Sequence, residues 1–138
     1  MTNLMHIIRT IAVTLFAAVA LTACNDTDSR LENKWQLRSY EFPDGRTQRE
    51  DSVFYNFQSG SFSAICVLPD ANYETFYGLY TLTDNEISIN LLPESLQSPN
   101  YQRYMAWPEG QRTFTLQQLN TNSMTLVYDK TLLHFRSY

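Results

Sequence analysis

Few residues in this chain have the types and spacing that enzyme chemistry needs. The chain has two histidines, whereas a metal centre or an acid–base pair needs several such groups close together. Glu50 and Asp51 are adjacent, so on a strand they would point to opposite faces and could not flank one bond. The sequence contains no Gly-x-Ser-x-Gly elbow and no phosphate-binding glycine loop. We therefore expect no enzyme, no metal site and no cofactor.

His134 and Cys66 are the remaining single candidates for catalysis in the main part of the chain. His134 alternates with Leu133 and Phe135, which predicts a surface or rim side chain and not a catalytic base. Cys66 shares its strand parity with Phe62 and is flanked by apolar residues. This pattern predicts a small core residue and not a nucleophile.

Cys24 points to chemistry of a different kind. It ends the sequence Leu21-Thr22-Ala23-Cys24, which follows Arg9 and an apolar stretch from Ile11 to Leu21. The stretch has the length of a cleaved signal peptide, about 7–15 apolar residues, and is too short to span a membrane. The four residues resemble the lipobox of bacterial lipoproteins, in which the cysteine thiol receives a diacylglycerol. The resemblance implies that residues 1–23 are removed and that Cys24 is the lipidated first residue.

Lipidation would determine where the chain lies. The acyl chains would hold the protein at a membrane of the bacterial cell envelope, and we expect the outer membrane, on its periplasmic or its surface side. Residues 24–33 are polar and predict a flexible tether, and residues 34–138 predict one domain. With Cys24 lipidated, Cys66 has no partner, so we expect no disulfide. The formal net charge of −4 disfavours nucleic acid as a partner, and we expect a monomer.

The domain itself is predicted to be all-β. From Lys34 onward, apolar and polar residues alternate with the period of two that indicates half-buried strands. Short connections rich in turn-forming residues require successive strands to pair antiparallel. Closure into an eight-stranded up-and-down barrel would remove the exposed edges, and a two-sheet sandwich is the alternative. The eight predicted strands are Lys34–Glu41, Ser52–Gln58, Ser61–Leu68, Glu74–Thr83, Glu86–Leu91, Arg112–Leu119, Ser123–Tyr128 and Thr131–Arg136.

Alternation also predicts which residues face the interior. Gly78 falls on the inward face, and a glycine inside a strand marks a bend or a close approach of another element. The long connection from Pro93 to Gly110 contains three prolines, so we expect at most a short helix there, at Asn100 to Met105. The predicted inward set is Trp35, Leu37, Val53, Tyr55, Phe57, Phe62, Ala64, Cys66, Phe76, Tyr80, Leu82, Ile87, Ile89, Phe114, Leu116, Met124, Leu126, Tyr128, Leu133 and Phe135.

Several segments resemble one known family. Residues 34–37 open the first strand with Lys-Trp-Gln-Leu, residues 57–62 form a hairpin with a glycine at its tip, and residues 77–82 and 85–89 read Tyr-Gly-Leu-Tyr-Thr-Leu and Asn-Glu-Ile-Ser-Ile. Together with the leader, they resemble the lipocalin-like lipoproteins of Bacteroidetes over residues 34–136. The resemblance implies a small meandering, lipocalin-like barrel on a lipid tether. The sequence lacks the Gly-x-Trp opening of true lipocalins and an evident C-terminal helix.

Two functional hypotheses remain open at this point. In the first, the barrel binds a small apolar or aromatic ligand, with Trp35, Phe57, Tyr80 and Trp107 as lining residues. In the second, the barrel is a scaffold or an inhibitor-type module that binds a protein or a glycan in the envelope through residues 93–110. Exposed Tyr101, Tyr104 and Trp107 would then be its anchors, because aromatic residues dominate interface hot spots.

Ser52 is a candidate for modification. The tripeptide Asp51-Ser52-Val53 resembles the acceptor of protein O-glycosylation in Bacteroidetes. The pattern is three residues long, so it predicts a single glycosylation site and nothing about the fold.

Overall fold

A computed structural model describes residues 27–138; the predicted signal peptide, Cys24 and the first residues of the predicted tether lie outside the described residues. Residues 27–31 form a helical turn, α1. Residues Leu31–Tyr138 form one compact unit. Its strands are β1 Lys34–Glu41, β2 Thr47–Arg49, β3 Val53–Gln58, β4 Ser61–Val67, β5 Tyr73–Thr83, β6 Glu86–Leu91, β7 Gln111–Leu119, β8 Ser123–Tyr128 and β9 Thr131–Ser137.

The strands form a closed antiparallel barrel, as the alternation predicts. From β3 to β9 each strand pairs with the next one in the chain, and β9 pairs back with β1. β2 pairs with Ser39–Glu41 at one end of β1, and β3 pairs with Lys34–Gln36 at the other end. β2 and β3 therefore share one position, so the barrel has eight strand positions. The closure confirms the barrel and excludes the sandwich.

The predicted strands agree with the structure to within one residue at each end. The exception is β2, for which no strand was predicted. All three residues of β2 are polar and exposed, so the segment has no apolar alternation to reveal it. Its pairing depends on the backbone of β1 alone.

Two β-bulges change which side chains point inward. The pairing of β1 with β9 shifts register between Leu37 and Ser39, and the pairing of β7 with β8 shifts between Leu116 and Gln118. A bulge adds one residue and so reverses the alternation beyond it. Tyr40 consequently packs against the core, which strict alternation from Trp35 would not predict.

One end of the barrel is filled by large apolar side chains. Trp35 and Leu31 are fully buried, and Phe57 is 1% exposed. The indole Nε1 of Trp35 donates a hydrogen bond to the carbonyl oxygen of Leu31 at 3.0 Å. The packed unit therefore begins at Leu31, three residues before the predicted start at Lys34, because Leu31 belongs to the core.

Most of the predicted inward residues are buried, which confirms the alternation. Val53, Leu82 and Leu116 are partly buried against the core. Tyr128 is 36% exposed, because its position near the end of β8 brings it to the opposite, open end of the barrel.

The long connection replaces a missing length of β6. β6 ends at Leu91, which pairs with Gly78, and this leaves Tyr73–Tyr77 of β5 without a neighbour on that side. Two short helices, α2 Pro93–Leu96 and α3 Tyr101–Tyr104, lie in the connection. α3 confirms the short helix predicted at residues 100–105. Among residues 27–138, no helix has both the length and the apolar character needed to cross a membrane.

Hydrogen bonds attach the connection to the free edge of β5. The Ser95 hydroxyl accepts from the Tyr77 N–H at 2.8 Å, and the Leu92 N–H donates to the Tyr77 carbonyl at 2.8 Å. Ser98 and Asn100 donate to the carboxylate of Glu74. The backbone N–H and carbonyl of Tyr77 are thus satisfied by this connection instead of by β6.

Gly78 lies where the neighbour of β5 changes from β6 to the connection. A Cβ atom at this position would lie 2.5 Å from the carbonyl oxygen of Asn90. The predicted close approach at Gly78 is therefore confirmed, and the neighbouring element is the backbone of β6.

Candidate functional site

The open end of the barrel contains a cavity of about 280 Å³. Ligand pockets commonly measure about 300–1,000 Å³, so this cavity is at the small end of that range. A neighbouring groove of about 440 Å³ shares Tyr40, Phe42 and Tyr104 with it. Six of the eleven residues that line the cavity are aromatic. The full set is Tyr40, Phe42, Tyr55, Tyr104, Met105, Trp107, Arg112, Tyr128, Asp129, Thr131 and Leu133.

Trp107 forms the floor of this cavity. The connection carries it into the barrel, where it is 3% exposed. Its ring centroid lies 5.9 Å from that of Phe114, 6.1 Å from that of Phe62 and 6.4 Å from that of Tyr55. The hydroxyl of Tyr101 donates a hydrogen bond to the Trp107 carbonyl, which fixes the backbone at this point.

The four predicted lining residues do not lie at one site. Trp107 lines the cavity, whereas Trp35, Phe57 and Tyr80 do not. Phe57 packs against Tyr80 with a centroid distance of 5.1 Å, in the filled end of the barrel. Alternation identified these side chains as inward, but it carried no information on which end is filled.

The exposed anchors predicted in residues 93–110 are mostly turned inward. Tyr101 is 5% exposed and Trp107 is 3% exposed, so the expectation that they are exposed is wrong. The free edge of β5 and the barrel interior both need apolar cover, and these two side chains supply it. Tyr104 is half-buried and lies between the cavity and the groove.

Arg112 is the cation of the cavity, and it was absent from the predicted site. It precedes Phe114 and Leu116 at the same parity on β7, so alternation did place it inward. Its Cζ lies 3.9 Å from the centroid of the Tyr128 ring and 5.2 Å from that of the Trp107 ring. Its Nε is buried and makes no hydrogen bond with any part of the chain that the structure describes.

Two tyrosines of the cavity, Tyr40 and Tyr55, stay protonated at neutral pH. Burial raises the pKa of Tyr55 far above its usual range, and it raises that of Tyr40, to which the charge of Glu50 also contributes. The positive charge of Arg112 opposes both shifts without reversing them. The hydroxyls are therefore neutral groups that can donate hydrogen bonds.

Glu50 lines the neighbouring groove as a carboxylate. Partial burial raises its pKa, but three hydrogen bonds to Oε1 outweigh this and leave the pKa below its ordinary value. The donors are the Ser52 hydroxyl at 2.7 Å and the N–H groups of Ser52 and Asp51, each at 3.0 Å. Glycosylation at Ser52 stays a prediction, and it would require the hydroxyl to leave Glu50.

Cys66 and His134 lie where the sequence predicts. Cys66 is a fully buried free thiol, and burial raises its pKa to about 12. A thiol with this pKa is a poor nucleophile at neutral pH. His134 lies on the outer face, with Nε2 2.9 Å from the carboxylate of Glu41. Within residues 27–138, no group of three or more His, Cys, Asp and Glu residues could hold a metal ion.

Known proteins share this sequence and this fold. Residues 19–138 match the sequence profile of the lipocalin-like domain. The crystal structure of a lipocalin-like protein from Bacteroides uniformis ATCC 8492 is similar, with 51% sequence identity and a TM-score of 0.77 over 79% of this chain and 99% of that chain. That of an uncharacterised protein from Bacteroides eggerthii DSM 20697 has 43% identity and a TM-score of 0.70, over 77% of this chain and 98% of that chain. No curated protein sequence matches the chain. The matched profile and the closed antiparallel barrel show that the chain belongs to the lipocalin-like domain family.

Proposed function

We propose that this protein is a lipid-anchored binding protein of the cell envelope that holds a small apolar or aromatic ligand in the open end of its barrel. The observation that carries the proposal is the aromatic cavity of about 280 Å³ above Trp107. Six of its lining residues belong to β1, β3, β7, β8 and β9, and the other five belong to the segments between strands. Concave sites that combine aromatic side chains with a few polar groups are typical of small-molecule sites.

Ligand binding accounts for the contrast between the two ends of the barrel. The other end of the same barrel is closed by fully buried side chains such as Trp35 and Leu31. A barrel of this size can be filled completely by its own side chains. Space left above Trp107, beside polar groups without partners, favours a ligand over a purely structural core.

Native mass spectrometry of protein purified from its own host tests the ligand. We expect a small molecule to remain bound to the wild-type protein. Leu133→Trp would fill the cavity and is expected to abolish the added mass, because Leu133 lines it. Val67→Trp adds similar bulk at a position that is 39% exposed, outside the cavity, and should keep the ligand. A bare wild-type mass, or equal retention in both variants, would contradict the proposal.

The membrane anchor is tested separately. Cys24→Ala removes the predicted acylation site, so we expect the protein to leave the membrane fraction. Cys66→Ala is the matched control, since Cys66 is buried in the barrel and should not affect fractionation. A Cys24→Ala protein that stays with the membrane would overturn the anchor without affecting the ligand.

A further inference from the structure

Arg112 occupies an unusual position for an arginine. It is half-buried among aromatic rings, and its Nε is buried without a hydrogen bond. A buried donor without a partner costs about 1–3 kcal/mol. In the part of the chain that the structure describes, no carboxylate lies within ion-pair distance of the guanidinium. Cation–π contacts with Tyr128 and Trp107 stabilise the charge but provide no acceptor for its N–H groups.

The two nearby carboxylates do not neutralise Arg112. Glu50 lines the groove and accepts three hydrogen bonds from Asp51 and Ser52. Asp129 lines the cavity but is exposed in the turn between β8 and β9. Neither forms an ion pair with Arg112 among residues 27–138.

Three tyrosines add further donors to the cavity. The hydroxyls of Tyr40, Tyr55 and Tyr128 line it and form no hydrogen bond with any group of the described chain. A guanidinium and three phenol hydroxyls around one cavity supply several N–H and O–H donors. A planar anion such as a carboxylate is the acceptor that satisfies them, since arginine pairs with it in bidentate geometry.

We propose that the ligand of this barrel is a small carboxylate with an aromatic or other apolar body. The carboxylate accepts hydrogen bonds from Arg112, and the body packs against Trp107 and Leu133. This inference rests on the proposed ligand-binding function and specifies its chemical class. It makes Arg112 the residue that determines the charge of the ligand.

Two probes of nearly the same shape test the charge preference. 2-Naphthoate and 2-naphthamide share one ring system, and only the first carries a negative charge. Titrations use the full chain in phospholipid nanodiscs, with empty nanodiscs to subtract partitioning into lipid. We expect the protein to bind 2-naphthoate about tenfold or more tightly than 2-naphthamide, because hydrogen bonds to charged groups contribute about 1.5–3 kcal/mol.

Variants assign the preference to Arg112. Arg112→Gln should abolish it, and Arg112→Lys should keep part of it, because the charge stays but the planar fork is lost. Arg103→Gln is the matched control: Arg103 is an exposed cation at the adjoining groove, and its loss should leave the preference within about twofold. In the nitrogen-15 spectrum, the Arg112 Nε–H signal should shift with 2-naphthoate and not with 2-naphthamide.

The outcomes separate this inference from the proposed function. If both probes bind equally, or if Arg112→Gln keeps the preference while folded, the carboxylate is wrong but a ligand site remains. If Arg112→Gln does not fold, equal binding of the two probes to folded Arg112→Lys also overturns it. If neither probe binds and the host-purified protein carries no small molecule, both proposals fail.

Discussion

The two ends of this barrel are built from the same strands but carry different side chains. At the filled end, Leu31, Trp35 and Phe57 are almost completely buried, and β6 completes the hydrogen-bonded wall. At the open end, β6 does not extend beside Tyr73–Tyr77 of β5, and the connection from β6 to β7 takes its place. The interior there contains tyrosines and one arginine around a cavity.

The difference separates stability from recognition within one small domain. Apolar side chains at the filled end are almost completely buried, so truncations there should cost the most stability. The open end keeps a buried donor without a partner, the Arg112 Nε, and empty space, both of which reduce stability. A local loss of folding stability of this kind is typical of functional sites.

The largest effect is expected from truncation at the filled end. Phe57→Ala should lower the free energy of unfolding by about 3–5 kcal/mol, since the side chain is 1% exposed and leaves a cavity behind. Tyr104→Ala, at the half-buried rim of the open end, should cost about 1 kcal/mol. Urea denaturation measures both, and equal losses would show that the ends do not differ in stability.

An intermediate effect is expected at the boundary between the two ends. Gly78→Ala should lower the free energy of unfolding by about 1–3 kcal/mol, because its Cβ would lie 2.5 Å from the carbonyl oxygen of Asn90. Thr81→Ala, at an exposed position of the same strand, should change it by less than about 0.5 kcal/mol. Similar values for the two variants would mean that β5 and β6 separate there without cost.

The smallest effect on stability is expected at the open end. Arg112→Met removes cation–π contacts that contribute about 0.5–2 kcal/mol, but it also relieves an unpaired buried donor that costs about 1–3 kcal/mol. The free energy of unfolding should therefore stay within about 1 kcal/mol of the wild type. A loss as large as that of Phe57→Ala in thermal or urea unfolding would make Arg112 a structural residue.

Local sequence patterns were sufficient for the strands and for much of the interior. The period-two alternation and the turn residues predicted the strand bounds to within one residue, because strand geometry repeats every two residues. Patterns fail where the repeat is broken. The bulge in β1 turns Tyr40 inward, and β2 has no apolar residue to reveal it.

The candidate site was predictable only in part. Trp107 was identified as a lining residue, and Arg112 had the inward parity that would have identified it. An arginine at an inward position is usually discounted, because a buried charge is costly. That cost is what makes Arg112 informative once its neighbours are known.

By itself, the sequence determined the antiparallel strands, most of the inward residues and the lack of recognisable enzyme motifs, because these depend on residue type and short-range spacing. The closure of the strands into a barrel, and not a sandwich, required the pairing of β9 with β1. Tertiary structure alone decided which end is filled, that Tyr101 and Trp107 turn inward, and that Arg112 has no acidic partner among the described residues. These features depend on the length of β6 relative to β5 and on contacts between residues far apart in the chain. No local pattern encodes them.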